Sequence, residues 1–146
     1  MKPLLNGLLT FMLLYLLADI YVTKMTLGLF SGAISETLFG NMEEFIDPMD
    51  SGVFLEYIHG QIFFMMMILL TLSAVYARLC SKKNYSMVLI NTLMISALLS
   101  LITLALTYFF NANFLNLYIV TYFLWHSVAF VMTTHALWNL NHDSSI

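Results

Sequence analysis

Two histidines, His59 and His126, are the residues whose type and expected placement best suit cofactor chemistry. Each lies inside a long apolar stretch, and the chain is predicted to cross the membrane in the same direction in both. Counted from the predicted helix starts, the two imidazoles lie at depths of about 9 Å and about 16 Å. The difference of about 7 Å is within the error of predicted helix boundaries. If the rings are level, they are candidate axial ligands of a b-type haem in the core of a helical bundle.

An acidic residue in the first apolar stretch, Asp19, is predicted at a height similar to that of His59. A carboxylate that accepts a hydrogen bond from a histidine ring fixes the tautomer and orientation of that ring. Asp19 is therefore a candidate partner behind a ligating His59, and charged residues inside the membrane suggest a function by default. The alternative is a pair with Lys24, in which both side chains reach toward the interface.

A third histidine, His135, follows His126 by nine residues in the same stretch. Nine residues turn a helix by about 900°, so the two rings are predicted to face opposite sides and to share no site. His135 lies on one face with Asn139 and His142, near the end of the stretch, where a hydrated histidine is the alternative to a ligand. The only cysteine, Cys80, excludes an internal disulfide and two-cysteine redox chemistry.

Small hydroxylated side chains form a stripe along the third apolar stretch. The stripe consists of Thr92, Ser96, Ser100, Thr103 and Thr107, with spacings of 4, 4, 3 and 4 residues. On a helix these positions fall within an arc of about 80°. Small hydroxylated residues let membrane helices approach closely and hydrogen-bond across the contact. The stripe therefore predicts an inward face that packs on a neighbouring helix, with a polar conduction path as the alternative.

Four apolar stretches position all of these residues, at about 4–22, 53–77, 87–110 and 115–140. Hydrophobic residues make up 61% of the chain and charged residues 9%, against about 45–50% and about 25% in an average soluble domain. Each stretch approaches or exceeds the roughly 20 residues that cross a bilayer as a helix, and none has the alternation of barrel strands. We therefore predict an all-α integral membrane four-helix bundle, a single transmembrane domain over residues 1–146. A cleaved signal peptide is the alternative for the first stretch, which is longer than the usual apolar region of about 7–15 residues.

The distribution of basic residues predicts the orientation. With four crossings, Lys2, Arg78, Lys82 and Lys83 lie on one side of the membrane and only Lys24 on the other. Because cytoplasmic loops are enriched in Lys and Arg, both termini are predicted to be cytoplasmic. The 23–51 loop is then external and acidic, and it carries Glu36, Glu43, Glu44, Asp47 and Asp50.

The external loop has two parts. Leu27, Phe30, Ile34 and Leu38 recur at spacings of three and four, which predicts an amphipathic segment lying in the outer interface. The carboxylates from Glu43 to Asp50 offer oxygen ligands to a hard cation such as Ca²⁺. Their spacing fits no EF-hand, and a solvated acidic turn is the alternative.

Three functions are compatible with these features. The first is a non-enzymatic accessory or assembly subunit of a larger membrane complex, for example a respiratory one, because the chain is small and carries no catalytic signature. The second is an electron carrier that handles b-haem or quinol through His59 and His126. The third is a small oligomeric transporter or channel. The expected partners are lipid and other membrane subunits or further copies of the chain, and no basic patch suits nucleic acid. A bacterial inner membrane is the expected location, because no organelle transit peptide is visible.

Overall fold

The computed structural model describes residues 2–80 and 85–142, and it is helical through most of them. The helices are α1 (Lys2–Thr26), α2 (Ser31–Phe39), α3 (Ser51–Leu79), α4 (Tyr85–Phe109) and α5 (Leu115–His142), and a short 3₁₀ turn (Ala112–Phe114) precedes α5. Four of them, α1, α3, α4 and α5, are long and apolar enough to cross a membrane. This confirms the predicted all-α membrane bundle.

The helix ends differ from the predicted ones by a few residues. Helices α1, α3 and α5 extend past their apolar stretches, because polar residues continue them at their ends. Helix α3 begins after Asp50, whose side chain accepts a hydrogen bond of 2.7 Å from the backbone N–H of Gly52. Such a cap satisfies one of the backbone donors that the first turn of a helix leaves without a partner.

Helix α5 is the centre of the bundle. It contacts α4 most extensively and also packs against α1 and α3. Side chains from four helices meet around it in one apolar core that includes Leu16, Leu72, Leu93, Trp125 and Met132, all of them buried. In the described part of the chain α1 and α3 make few close contacts with each other, so a space remains between them on the outside of α5.

The hydroxylated stripe lies inside the bundle. Ser96, Ser100, Thr103 and Thr107 are buried and Thr92 is half-buried. The hydroxyls of the four buried residues donate hydrogen bonds of 2.7–2.8 Å to carbonyl oxygens of α4 itself. The expected hydrogen bonds across the helix contact are therefore replaced by bonds within the helix. That the stripe serves packing rather than conduction stays a prediction.

The loop between α1 and α3 folds against one end of the bundle. Ile34 and Leu38 of α2 are buried in a second apolar cluster with Leu27, Phe54 and Tyr118. The amphipathic segment thus packs on protein, and Phe30, which we expected on its apolar face, is exposed at its start. In the acidic turn and elsewhere in the described ranges, no group of three or more His, Cys, Asp or Glu side chains is placed to hold a metal ion.

The side of the membrane on which each end lies stays a prediction. Helices α1 and α3 run in opposite directions in a chain with four candidate crossings, so residues 2–5 and the end of α3 at Leu79 share one side. Lys82 and Lys83, two of the basic residues on which the cytoplasmic assignment depends, lie outside the described residues.

Candidate functional site

A buried acid–imidazole pair, Asp19 and His126, lies among the membrane-spanning helices. The Asp19 residue is 7% exposed and His126 is 2% exposed. The carboxylate oxygen Oδ2 of Asp19 lies 3.1 Å from Nε2 of His126, and this contact joins α1 to α5. Gln61 of α3 donates a hydrogen bond of 3.2 Å to the other carboxylate oxygen, Oδ1. The hydroxyl of Tyr122 makes a longer contact of 3.5 Å with Oδ2. Two helices, α3 and α5, therefore supply partners to one carboxylate of α1.

The partners of His126 determine how many protons the pair holds. Its other ring nitrogen, Nδ1, lies 3.0 Å from the backbone carbonyl oxygen of Tyr122. A carbonyl oxygen only accepts hydrogen bonds, so Nδ1 carries a proton. The Nε2 contact then needs one more proton, either on Nε2 beside an ionised carboxylate or on a protonated Asp19. In both descriptions one proton lies between the two side chains and the pair has no net charge.

Net neutrality explains how the pair is tolerated inside the membrane. An isolated carboxylate or imidazolium among apolar helices is strongly unfavourable, whereas a neutral, hydrogen-bonded pair is much less so. Two aromatic rings of α5 add to this, since the ring centroids of Trp125 and Tyr122 lie 3.7 Å and 4.3 Å from that of His126. Aromatic faces at such distances attract a cationic ring. The aromatic contacts therefore compensate for burial when the shared proton lies on His126.

A second polar contact lies one helical turn from Asp19. The hydroxyls of Thr23 in α1 and Tyr57 in α3 are 3.2 Å apart, and Thr23 is 1% exposed. Together with the contact from Gln61 to Asp19, this bond joins α1 to α3 although the two helices pack little against each other. Two side-chain hydrogen bonds therefore link the two helices beside the carboxylate.

The space between α1 and α3 is a groove of about 420 Å³. Its size is within the range of about 300–1,000 Å³ that is typical of small-molecule sites. Most of its lining is apolar or aromatic, and the wall includes Tyr15, Asp19, Glu56, Tyr57, Gly60 and Phe64. No atom lies within 4 Å of the position that a Cβ would take at Gly60, so a side chain at this position would extend into open space. The largely buried Asp19 therefore lines an open groove.

The predicted pairing of His59 with His126 is not formed in this structure. His59 is exposed on α3, and no hydrogen bond or ring contact joins it to His126 in the described ranges. Both ring nitrogens of His126 are already engaged, by Asp19 and by the carbonyl oxygen of Tyr122. Haem ligation by the two histidines stays a prediction, and it requires the Asp19 contact to open.

Asp19 was expected beside His59 or Lys24, and the structure places it beside His126 instead. Lys24 is exposed and forms no ion pair with Asp19 in the described part of the chain. The sequence interpretation also missed the roles of Gln61 and Tyr57. The available signal was their position, since both are polar residues in the apolar stretch that faces Asp19.

A second polar cluster surrounds His135 near the other end of the bundle. Its Nδ1 lies 3.0 Å from the hydroxyl of Tyr76 and 3.6 Å from the sulfur of Cys80. Asn139 donates a hydrogen bond of 3.0 Å to the same sulfur and lies 3.4 Å from Nε2 of His135. His142, which we predicted to share a face with His135 and Asn139, stacks on Trp138 at a centroid distance of 3.9 Å. The cluster joins α3 to α5.

Comparison with known proteins identifies the family of the chain. No curated protein and no solved structure matches it. Residues 28–145 match the family Aq_1264_TM, which is described as a transmembrane helical domain. The match includes Gln61 and His126 but begins after Asp19. Since it covers most of the sequence, the chain belongs to the Aq_1264_TM family of transmembrane helical domains and is an integral membrane protein.

Proposed function

We propose that this small membrane protein binds a lipid-dissolved molecule in the groove between α1 and α3. The polar head of that molecule contacts Asp19, and its apolar part remains among the aromatic and aliphatic residues of the groove. The observation that carries this proposal is the burial of a proton-sharing acid–imidazole pair directly behind a groove of ligand size. Ionisable groups among membrane helices usually mark a substrate or proton site.

The groove is suited to ligands that enter from the bilayer. It lies between two helices that both rest on α5, and residues such as Phe64 in its wall are exposed on the outer surface of the bundle. A ligand that is already dissolved in the membrane reaches this wall without crossing the bundle. The groove wall has few polar groups among many apolar ones, and a site of this composition orients one end of its ligand.

Filling the groove tests the proposal. Gly60→Leu places a side chain in open space within the groove, and Gly7→Leu does the same on α1 outside it, since neither glycine has a neighbouring atom within 4 Å of the added Cβ. We expect Gly60→Leu to weaken binding of a ten-carbon alcohol or amine about tenfold, because the added side chain occupies the ligand volume. Gly7→Leu should bind as the native protein does.

Trp125 provides the readout. Its ring lies against His126, and the other tryptophan of the chain, Trp138, is exposed and replaceable by Phe. Titration of the Trp138→Phe protein in lipid nanodiscs should change the Trp125 fluorescence saturably. Equal titration curves for the Gly60→Leu and Gly7→Leu variants would contradict the proposal.

A role as an accessory or assembly subunit is a second candidate, and the tip of the loop between α2 and α3 favours it. Met42 and Phe45 are 97% and 95% exposed at this tip. Phe45 has a φ of 55°, a conformation that costs about 1–3 kcal/mol for a residue other than glycine. A strained turn that presents two apolar side chains outward suits a contact with a partner subunit.

Removal of this apolar tip tests the accessory role. Phe45→Ser should release a partner subunit that co-purifies from native membranes, because the contact loses its buried aromatic ring. Phe110→Ser is the matched control, since Phe110 is also exposed but lies beyond the end of α4. If both variants retain the same partners, the loop has no such role.

The haem alternative gives a separate optical signal. A reduced-minus-oxidised absorption spectrum with a Soret band that His126→Ala abolishes would support ligation by His126. A colourless protein would exclude haem and would leave the groove proposal unaffected.

A further inference from the structure

We infer that the groove selects a cationic amphiphile, an alkylamine in its protonated form, and that this cation displaces the proton shared by Asp19 and His126. The inference rests on the proposed binding function and specifies its ligand class. Three features carry it: the charge of the groove wall, its aromatic surface, and the neutrality of the buried pair.

The charged side chains of the groove wall are both acidic. Asp19 and Glu56 line it, and among the described residues no Lys or Arg does. An anionic head group would therefore be repelled by the carboxylate of Glu56 and could not replace the shared proton of the Asp19–His126 pair. A positively charged head group is attracted by Glu56 and, once that proton has left, by the ionised Asp19, so the site discriminates by the sign of the charge.

The aromatic residues of the wall reinforce this selection. Tyr15 of α1 and Tyr57 and Phe64 of α3 line the groove beside Asp19. Aromatic faces attract ammonium groups, most strongly where water is excluded. The alkyl chain of the ligand is accommodated by the remaining apolar wall.

Because the pair is neutral while it holds its shared proton, binding of an ammonium group and retention of that proton exclude each other. With its shared proton, the Asp19–His126 pair has no net charge, and a bound ammonium would add an uncompensated positive charge among membrane helices. If the pair releases its proton as the ammonium binds, Asp19 is ionised, His126 is neutral and the site remains neutral. The exchange balances, since one cation enters and one proton leaves to the solvent.

His126 keeps its position during this exchange. Its Nδ1 proton continues to bond to the carbonyl oxygen of Tyr122, and Nε2 becomes an acceptor for an N–H of the ammonium. The titratable groups that face Asp19 are Tyr15 on α1, Glu56 and Tyr57 on α3, and Tyr118, Tyr122 and His126 on α5. Of these, His126 is the group in direct contact with the shared proton.

Matched probes test the inference. Decylamine and decanol have the same chain and differ in whether the head group carries a positive charge. In nanodiscs of neutral lipid, decylamine binding should release about one proton per molecule, measured by calorimetry in two buffers of different ionisation enthalpy. Its affinity should rise by up to about tenfold per pH unit while the pair holds its proton, because one proton competes with one cation. Decanol binding should release no proton and should not depend on pH.

Asp19→Asn should abolish the proton release and reduce the preference for decylamine over decanol. Glu56→Gln should weaken decylamine binding, because it removes the other carboxylate of the wall, but the bound amine should still release about one proton. Decylamine binding to the native protein without proton release overturns the inference, whether or not Asp19→Asn folds. If both probes bind the native protein equally and Gly60→Leu weakens both, the proposed binding function holds and the cation inference fails. If neither probe distinguishes the native protein from Gly60→Leu, both fail.

Discussion

Asp19 and His126 lie 3.1 Å apart although 107 positions separate them in the sequence. They form a polar contact between α1 and α5, and at the other end of α1 the amide of Asn6 donates a hydrogen bond of 3.0 Å to Asn141 of α5. The first helix is thus joined to the central helix near both of its ends. The two contacts differ in burial, since the Asp19 pair is buried and the Asn6 contact is exposed.

This difference predicts a large coupling energy for the buried pair. In a double-mutant cycle with Asp19→Ala and His126→Ala, we expect an interaction free energy of about 1–3 kcal/mol, because each single variant leaves a buried ionisable group without its partner. The measurement is reversible unfolding in mixed detergent micelles, followed by circular dichroism. The matched cycle with Asn6→Ala and Asn141→Ala should give below about 1 kcal/mol. Additive effects at Asp19 and His126 would show that the pair is not formed in the membrane.

The stripe on α4 predicts that two substitutions at one position differ in their effect on stability. Ser100 is 1% exposed and its hydroxyl donates to the carbonyl oxygen of Ala97 in the same helix. Ser100→Ala should therefore change the free energy of unfolding by less than about 1 kcal/mol, since no contact between helices is lost. Ser100→Leu should destabilise by about 1–3 kcal/mol through overpacking.

The lipid-facing substitution Leu98→Ile, on the exposed face of the same helix, is the control for Ser100→Leu and should be nearly neutral. A conduction path along the stripe gives a different result. Ser100→Ala would then reduce a solute or ion flux in liposomes that contain only this protein, with stability unchanged.

The sequence predicted the crossings well because their signal is local. Roughly 20 apolar residues form a membrane helix regardless of which helices lie beside it. The neighbours of a helix are not local information, and this is where the predicted site departed from the structure. Similar depth suggested that Asp19 meets His59, but His59 is exposed, and α3 presents Gln61 to the carboxylate instead.

The partner of His126 was also not predictable from local sequence. The sequence predicted the depth and the aromatic neighbours of His126, but its partner is determined by how α1 lies on α5. The groove itself has no sequence signature, since it exists because α1 and α3 pack little against each other. Gly60 marks it only in retrospect, as the position where a side chain would enter the space.

The backbone conformation of the turn after α1 is tested by alanine substitutions at two glycines. Gly28 has a φ of 91°, and a Cβ there would lie 2.6 Å from the Cβ of Ala33. Gly28→Ala should destabilise by about 1–3 kcal/mol, because the residue would be strained and the neighbouring turn would have to move. Gly32→Ala is the matched control four residues later, within α2 and with no atom within 4 Å. It should be neutral or stabilising by up to about 1 kcal/mol, since alanine favours the helix. Equal losses in thermal unfolding would mean that this turn has another conformation.

Orientation in the membrane is testable through two exposed positions at opposite ends of the bundle. Met42 lies at the tip of the loop between α2 and α3, and His142 is the last residue of α5. In a Cys80→Ser background, a membrane-impermeant maleimide should label Met42→Cys in intact cells and His142→Cys only after permeabilisation. The physical reason is that four of the five basic residues flank the His142 side, which favours the cytoplasm. The reverse pattern would invert the bundle, and labelling of both positions from one side would contradict four crossings. The native protein, which keeps the buried Cys80 and has no added cysteine, should also be labelled little.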